Sequence, residues 1–94
     1  MDRRFQEGEA ERGAVALFTR HAGCPPDGVE ALPSSGSARR YYRLSLGGES
    51  LVAACHEDAR ENLLFIDFSR HFGAKGLRVP GVRAVGEGAR VYLQ

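Results

Sequence analysis

The sequence predicts an α+β fold, in which a five-stranded antiparallel sheet carries one long helix between its third and fourth strands and an extra helix at the N-terminus. Short β-rich segments separated by tight-turn residues are typical of an antiparallel meander. Two other segments repeat apolar residues at helical spacing. With 94 residues, 43% hydrophobic and 27% charged, the chain has the size and composition of one globular domain.

The first predicted element is a helix over residues 9–22. One face carries apolar or aromatic side chains at helical spacing: Ala14, Leu17, Phe18 and His21. Gly23 gives a stop, and the two prolines that follow prevent continuation. Residues 1–28 are therefore predicted to form a helix and a linker, and residues 29–94 the sheet and the second helix of the same domain.

Three strands are predicted next, over residues 29–32, 39–46 and 49–55. The Gly47-Gly48 pair indicates a two-residue hairpin turn, because both central positions of a type I′ turn need positive φ. The second strand alternates along its length. Arg39, Tyr41 and Arg43 are predicted to share one face of the sheet, and Arg40, Tyr42 and Leu44 the other.

The second helix is predicted over residues 59–75, with Asp58 as its N-cap. An aromatic stripe at helical spacing is predicted to pack on the sheet: Leu64, Phe65, Phe68 and Phe72. Gly73 and Gly76 are both candidate ends. A last hairpin, over residues 82–85 and 90–93, is turned by Gly86-Glu87-Gly88.

The net charge of +1 argues against a dominant electrostatic attraction to nucleic acid or to an anionic membrane. No apolar run approaches the roughly 20 residues that span a bilayer. The charged N-terminus has no apolar segment typical of a secretory signal. We therefore expect a cytoplasmic protein with reduced thiols and no membrane partner.

Two weaker patterns offer alternatives. The basic and aromatic run over residues 39–43 is compatible with single-stranded nucleic acid, although the low net charge favours cross-strand packing of the tyrosines. A nominal zinc set consists of His21, Cys24, Cys55 and His56. Cys55 and His56 are adjacent and would point to opposite faces of a strand, so a core role for Cys55 is favoured.

The turn between the first two strands consists of small or turn-forming residues. A hairpin tip with so little side-chain bulk lets backbone N–H groups approach a ligand closely, and phosphate oxygens are the usual ligand of such a turn. An ordinary solvent-exposed hairpin is the alternative, because short glycine-containing turns are common connectors.

Four segments, in this order, carry a resemblance to a known family: SGSARRYYRL (residues 35–44), ENLLFIDFSRHF (61–72), GLRVP (76–80) and VYLQ (91–94). Over residues 29–94 the chain resembles the small lobe of protein-kinase-like phosphotransferases. Among these, its sequence is most similar to the aminoglycoside phosphotransferase and choline kinase-like superfamily, in particular to bacterial sugar kinases of cell-wall recycling.

The resemblance implies a nucleotide-binding lobe, with ATP as cofactor and phosphorylation of a hydroxyl on a sugar or other small metabolite as the reaction. Residues matching the family's phosphate loop are Ser34, Ser35, Gly36, Ser37 and Ala38. Glu61 matches the acidic residue of the long helix, whose usual partner is a phosphate-binding lysine on the third strand. Mg²⁺ is expected only with the family's large lobe.

The sequence departs from the family in two respects. The third strand contains no lysine, and Lys75 lies at the far end of the helix, so Arg40 or Arg43 is the predicted substitute. The chain stops at Gln94, near the family's hinge, and contains no match to the catalytic loop or metal-binding aspartate. We therefore expect these residues alone to be inactive as a kinase.

An alternative to a kinase fragment is a non-catalytic interaction module or homodimer built on the same sheet. A large lobe, another protein or a second copy of the chain would then cover apolar surface exposed at the rim of the sheet.

Overall fold

The computed structural model describes residues 7–33, 39–56, 58–76 and 81–94. The helices are α1 (Glu7–Ala22) and α2 (Ala59–Ala74), and the strands are β1 (Gly28–Leu32), β2 (Arg40–Leu46), β3 (Glu49–Cys55), β4 (Ala84–Val85) and β5 (Val91–Leu93). The predicted α+β class is confirmed, with α2 inserted between the third and fourth strands.

All five strands form one antiparallel sheet in the order β1-β2-β3-β5-β4. The chain makes a three-stranded meander, crosses the sheet through α2, forms the edge strand β4, and returns to place β5 beside β3. Ala54 of β3 is paired with Tyr92 of β5 and, on its other side, with Tyr41 of β2. As a result, β5 is an interior strand although it comes last in the sequence.

The predicted glycine turn between β2 and β3 is confirmed, with φ of 60° at Gly47 and 88° at Gly48. These angles are strained for side chains with a Cβ. The Gly47 amide donates a hydrogen bond of 3.2 Å to the Asp27 carboxylate, which ties this turn to the segment entering β1. The last hairpin differs from the prediction, since Glu87–Ala89 form a short 3₁₀ turn and β4 has only two residues.

Helix α1 covers one face of the sheet and forms the larger core. Buried side chains of this core are Ala10, Ala14, Leu17, Phe18, Tyr42, Leu44, Ala53, Cys55, Val91 and Leu93. A Cβ built on Gly13 would come within 3.2 Å of a Val91 methyl group, so glycine allows the close approach of α1 to β5. His21, predicted on the packed face, is exposed instead.

Helix α2 lies on the opposite face, where the core is small: Ala54, Ile66 and Tyr92 are buried, with half-buried Tyr41, Phe65, Val82 and Val85 around them. The predicted aromatic stripe is wrong as the packed face except at Phe65, which is half-buried against this core. The buried residues of α2 are Asn62, Ile66 and Ser69, whereas Leu64 and Phe68 are 67% and 50% exposed. Asn62 bonds to groups on the sheet side, which favours this rotation of the helix.

Within the described residues, neither helix combines the length and apolar character required to cross a bilayer.

Candidate functional site

The strand register brings three chain segments to one end of the sheet. Arg40 at the start of β2 pairs with Cys55 at the end of β3, and Leu32 at the end of β1 pairs with Tyr41. Helix α2 begins four residues after β3 ends. The exit from the β1–β2 turn and the N-terminus of α2 therefore lie at the same end. The predicted phosphate-loop residues Ser34, Ser35, Gly36, Ser37 and Ala38 fall outside the described residues.

Arg39 is the described residue that follows this turn, and it joins the sheet to α2. Its Nη1 donates a 2.9 Å hydrogen bond to the Asn62 side-chain oxygen and a longer one, of 3.4 Å, to the Tyr92 hydroxyl. The guanidinium carbon lies 5.8 Å from the centre of the Phe65 ring, within cation–π range. Arg39 thus contacts a strand residue and two helix residues at once.

Asn62 and Tyr92 are themselves held in place. Asn62 is completely buried, and its amide nitrogen donates a 2.9 Å hydrogen bond to the Ala89 carbonyl in the 3₁₀ turn before β5. Burial raises the pKa of Tyr92 to about 12, despite the opposing effect of the Arg39 charge. The Tyr92 hydroxyl is therefore protonated at neutral pH.

The N-terminus of α2 is capped as predicted. The Asp58 carboxylate accepts a 3.0 Å hydrogen bond from the Arg60 amide, satisfying one of the free N–H groups of the first turn. Hydrogen bonds from the Arg60 side chain lower the pKa of Asp58. The Asp58 amide in turn donates to His56 Nδ1 at 2.9 Å, which fixes the connection from β3 to the helix.

An open cleft of about 310 Å³ lies beside this end of α2, lined by Arg39, Glu61, Leu64, Phe65 and Phe68. The rings of Phe65 and Phe68 are nearly parallel, with centres 6.3 Å apart, and Phe65 also stacks on Tyr92 at 5.9 Å. The cleft therefore combines an aromatic wall with one cationic and one anionic side chain. Such a surface is suited to a ligand that has both a flat ring and a charged group.

The other predicted site residues lie apart from one another. Glu61 is exposed on the first turn of α2 and lines the cleft. Arg43 forms an exposed ion pair of 3.1 Å with Glu30 of β1. Arg40 lies on the α1 side of the sheet with Tyr42, and it pairs with Cys55. Burial raises the pKa of Cys55, and the Arg40 charge opposes this rise.

Sequence reasoning missed Arg39 and Asn62. Strand alternation separates Arg39 from Arg40, but it does not say which face the second helix covers. The signal available in the sequence is a polar residue four positions before an isoleucine, Asn62 and Ile66, inside an otherwise apolar helix segment.

Of the remaining candidates, Cys55 has a structural role in the core, and the candidate metal ligands are not grouped within the described residues. Cys55 is buried, burial raises the pKa of its thiol to about 12, and its sulfur lies 3.8 Å from the Ala10 carbonyl oxygen. A thiol with so high a pKa is a poor nucleophile. Across residues 7–33, 39–56, 58–76 and 81–94, no three His, Cys, Asp or Glu side chains are grouped to hold a metal ion.

Comparisons with known proteins found no matching family model and no significant match among curated proteins or solved structures. The resemblance to the aminoglycoside phosphotransferase superfamily is neither supported nor contradicted by them, and it stays a prediction.

Proposed function

We propose that this chain is the nucleotide-binding small lobe of an aminoglycoside phosphotransferase-like kinase. The parent reaction is ATP-dependent phosphorylation of a hydroxyl on a sugar or another small metabolite. The observation that carries the proposal is the convergence of the end of β1, Arg39 before β2 and the capped N-terminus of α2 at one end of the sheet.

Three physical properties of this sheet end suit a polyphosphate. The segment over residues 34–38, which the sequence predicts to be a turn, has little side-chain bulk, a property that lets backbone amides approach phosphate oxygens. The N-terminus of α2 carries the positive end of the helix dipole, part of which the Asp58 carboxylate already offsets. Arg39 brings a permanent positive charge, and guanidinium groups match the geometry of phosphate oxygens.

The function proposed for these residues is nucleotide binding without phosphoryl transfer. Transfer requires Mg²⁺ ligands and a group that orients the acceptor hydroxyl. The part of the chain that the structure describes has no acidic cluster fit for Mg²⁺.

A titration followed by NMR tests the proposal on the ¹⁵N-labelled 94-residue chain. We expect millimolar ATP to shift the amide signals of Ser35, Gly36 and Ser37, and we expect adenosine to shift them less because it has no phosphates. Sodium sulfate at matched ionic strength controls for general anion effects. Unchanged signals from these three residues at saturating ATP would contradict the proposal.

A second candidate is an interaction module that associates with a second copy of the chain. It is favoured by the apolar outer surface of α2, where Leu63, Leu64 and Phe68 are 47%, 67% and 50% exposed. Phe68 and Phe72 also contact each other at a ring distance of 4.6 Å. Clustered apolar side chains on a surface are a common feature of protein–protein contacts.

Light scattering over a concentration series distinguishes this candidate. Self-association through α2 predicts a mass that rises with concentration and returns to the monomer value in Leu64→Ser. Glu11→Ser, at an exposed position of α1 on the other side of the sheet, is the matched control and should leave the association unchanged. A wild-type mass that stays monomeric at millimolar concentration would exclude it.

A further inference from the structure

We propose that the outer edge of β1 is a self-association surface. Two copies of the chain pair their β1 strands antiparallel about a two-fold axis and join their five-stranded sheets into one continuous sheet. The proposal goes beyond nucleotide binding and does not depend on it. It also uses a different surface from the exposed apolar side of α2.

The two edges of the sheet differ in length and in protection. Strand β4 has only two residues and is followed by a 3₁₀ turn, which leaves little backbone for another strand to pair with. Strand β1 pairs with β2 through all five of its residues, without a bulge, and contains neither lysine nor proline. Short strands, bulges, lysine and proline are the usual features that keep a sheet edge from pairing. The β1 edge is therefore the one to which another strand can be added.

The direction of the backbone groups of β1 follows from the register of the sheet. In an antiparallel sheet, successive residues direct their N–H and C=O groups alternately to one neighbouring strand and to the other. Val52 exchanges hydrogen bonds of 3.0 and 2.8 Å with the residue that follows β5, so its partner on β2, Arg43, faces β1 and pairs there with Glu30. Val29 and Ala31, on either side of Glu30, therefore direct their N–H and C=O groups away from the sheet.

The side chains of the same two residues are open to a partner. Val29 is 39% exposed, and Ala31 is exposed as well. Both lie on the side of the sheet that carries the α1 core, next to strand residues that belong to it. Contact with another strand would remove this apolar surface from water, which favours association.

A second copy of the chain fits this edge because the edge is self-complementary. A two-fold axis at Ala31 lets the two Ala31 residues exchange N–H···O=C hydrogen bonds, and it places Glu30 opposite the partner's Leu32. An axis at Glu30 would instead set two glutamates opposite each other, which is unfavourable. The net charge of +1 gives little repulsion between two copies.

Pairing at β1 closes at two copies. Among the described strands, a β1–β1 dimer has the two β4 strands at its outer edges, and these are too short to continue the sheet. An isologous pairing of this kind gives a dimer, whereas head-to-tail pairing of two different edges would give a fibre. A five-residue edge is a small interface, so the association should be weak and reversible.

Light scattering of the 94-residue chain, in a series up to millimolar concentration, tests the proposal. We expect the wild-type mass to rise from that of the monomer towards that of the dimer. Ala31→Pro removes both N–H donors at the axis but no bond to β2, and it should raise the dissociation constant of the dimer about tenfold or more.

Ala31→Lys tests the same position without changing the backbone, since it sets two positive charges opposite each other at the axis and should also weaken the dimer. Ala16→Lys, the same change at an exposed position of α1, is the matched control and should leave the dissociation constant unchanged. Thermal melts establish that each variant is folded, and Ala31→Lys serves if Ala31→Pro does not fold.

Disulfide trapping tests the register. A Cys24→Ser background removes the exposed native thiol. In that background Ala31→Cys should form a covalent dimer under mild oxidation, because directly paired residues lie about 5.5 Å apart between Cα atoms, within reach of a disulfide. Val29→Cys should form much less, since the two Val29 residues are separated along the strands. Equal cross-linking of the two variants would contradict an axis at Ala31.

The variants also separate this surface from α2. Association that is weakened by Ala31→Pro and Ala31→Lys but retained in Leu64→Ser supports pairing at β1. Association that is lost in Leu64→Ser and unchanged in both Ala31 variants would overturn the proposal and assign the contact to α2. A wild-type chain that stays monomeric at millimolar concentration would overturn it as well.

Discussion

The two faces of the sheet are built in different ways. On the α1 face, aliphatic and aromatic side chains from the helix and three strands form a continuous core, and small residues of α1 let the helix lie close to β5. On the α2 face, the apolar cluster among the described residues has three buried members, Ala54, Ile66 and Tyr92, and hydrogen bonds through Asn62 supply much of the specific contact. The helix meanwhile exposes Leu64 and Phe68.

This difference suggests that the two faces make different contributions to the folded structure. Burial of apolar surface is the main source of folding free energy, so the α1 face should account for most of the stability. Hydrogen bonds contribute less net free energy, but they fix geometry. The α2 face thus contributes defined side-chain geometry more than stability. It is also the face that contains the cleft and Arg39.

The largest effect should come from shortening a leucine on the α1 face. Leu44→Ala removes a completely buried side chain and should lower the free energy of unfolding by about 2–5 kcal/mol. Leu64→Ala makes the same chemical change at a position 67% exposed and should alter it by less than about 0.5 kcal/mol. Urea denaturation measures both. Equal losses would show that the two faces contribute alike.

A smaller effect should follow from removing the polar anchor of the α2 face. Asn62→Ala leaves the buried Ala89 carbonyl without its donor and should cost about 1–3 kcal/mol in the same urea experiment. Ser69→Ala is the matched control on the same helix face, because the Ser69 hydroxyl is buried and makes no hydrogen bond within the described structure. That control should be neutral or stabilising. A Ser69→Ala loss as large as that of Asn62→Ala would contradict the anchor role.

An effect that is smallest just above pH 9 and grows with pH should reveal one titrating group on each face. Burial raises the pKa of Cys55 from 9.0 to about 12 and that of Tyr92 from 10.0 to about 12. Above pH 9 the unfolded chain loses the Cys55 proton while the folded chain keeps it, so stability is complete below pH 9 and falls from there towards pH 12. Tyr92 adds to this decline from about pH 10.

Urea unfolding between pH 8 and pH 11 measures these contributions. Cys55→Ala should reduce the decline in the free energy of unfolding that begins near pH 9. Tyr92→Phe should reduce the part of the decline that begins near pH 10. The slopes with pH are compared, because each substitution also changes the stability at neutral pH. A decline that is identical in wild type and both variants would mean that neither group titrates with a raised pKa.

Local patterns were sufficient to predict most of the fold. The bounds of β3 agree with the prediction residue for residue, because a glycine pair fixes its start and a polar segment its end. Helix α1 and the N-cap of α2 were likewise recognisable from apolar spacing and a capping residue. These features depend on residues close together in the chain, which a sequence displays directly.

The candidate site was harder to predict because it depends on contacts between distant residues. Two neighbouring stripes of α2 both have helical spacing, and the sequence favoured the aromatic one over the buried stripe of Asn62, Ile66 and Ser69. The choice is made by Ala89, 27 positions further on, which accepts the Asn62 hydrogen bond. Arg39 was overlooked for the same reason, since its partners lie 23 and 53 positions away.

The hydrogen bond from Asn62 to Ala89 has a mechanical consequence for the whole molecule. It joins α2 to the turn that leads into β5. Neighbouring residues of β5 point to opposite sides of the sheet, with Tyr92 towards α2 and Leu93 in the core beneath α1. A substitution at Asn62 should therefore disturb a three-residue strand that packs against both helices. The disturbance should be detectable on the far side of the molecule, in the amide signals of α1.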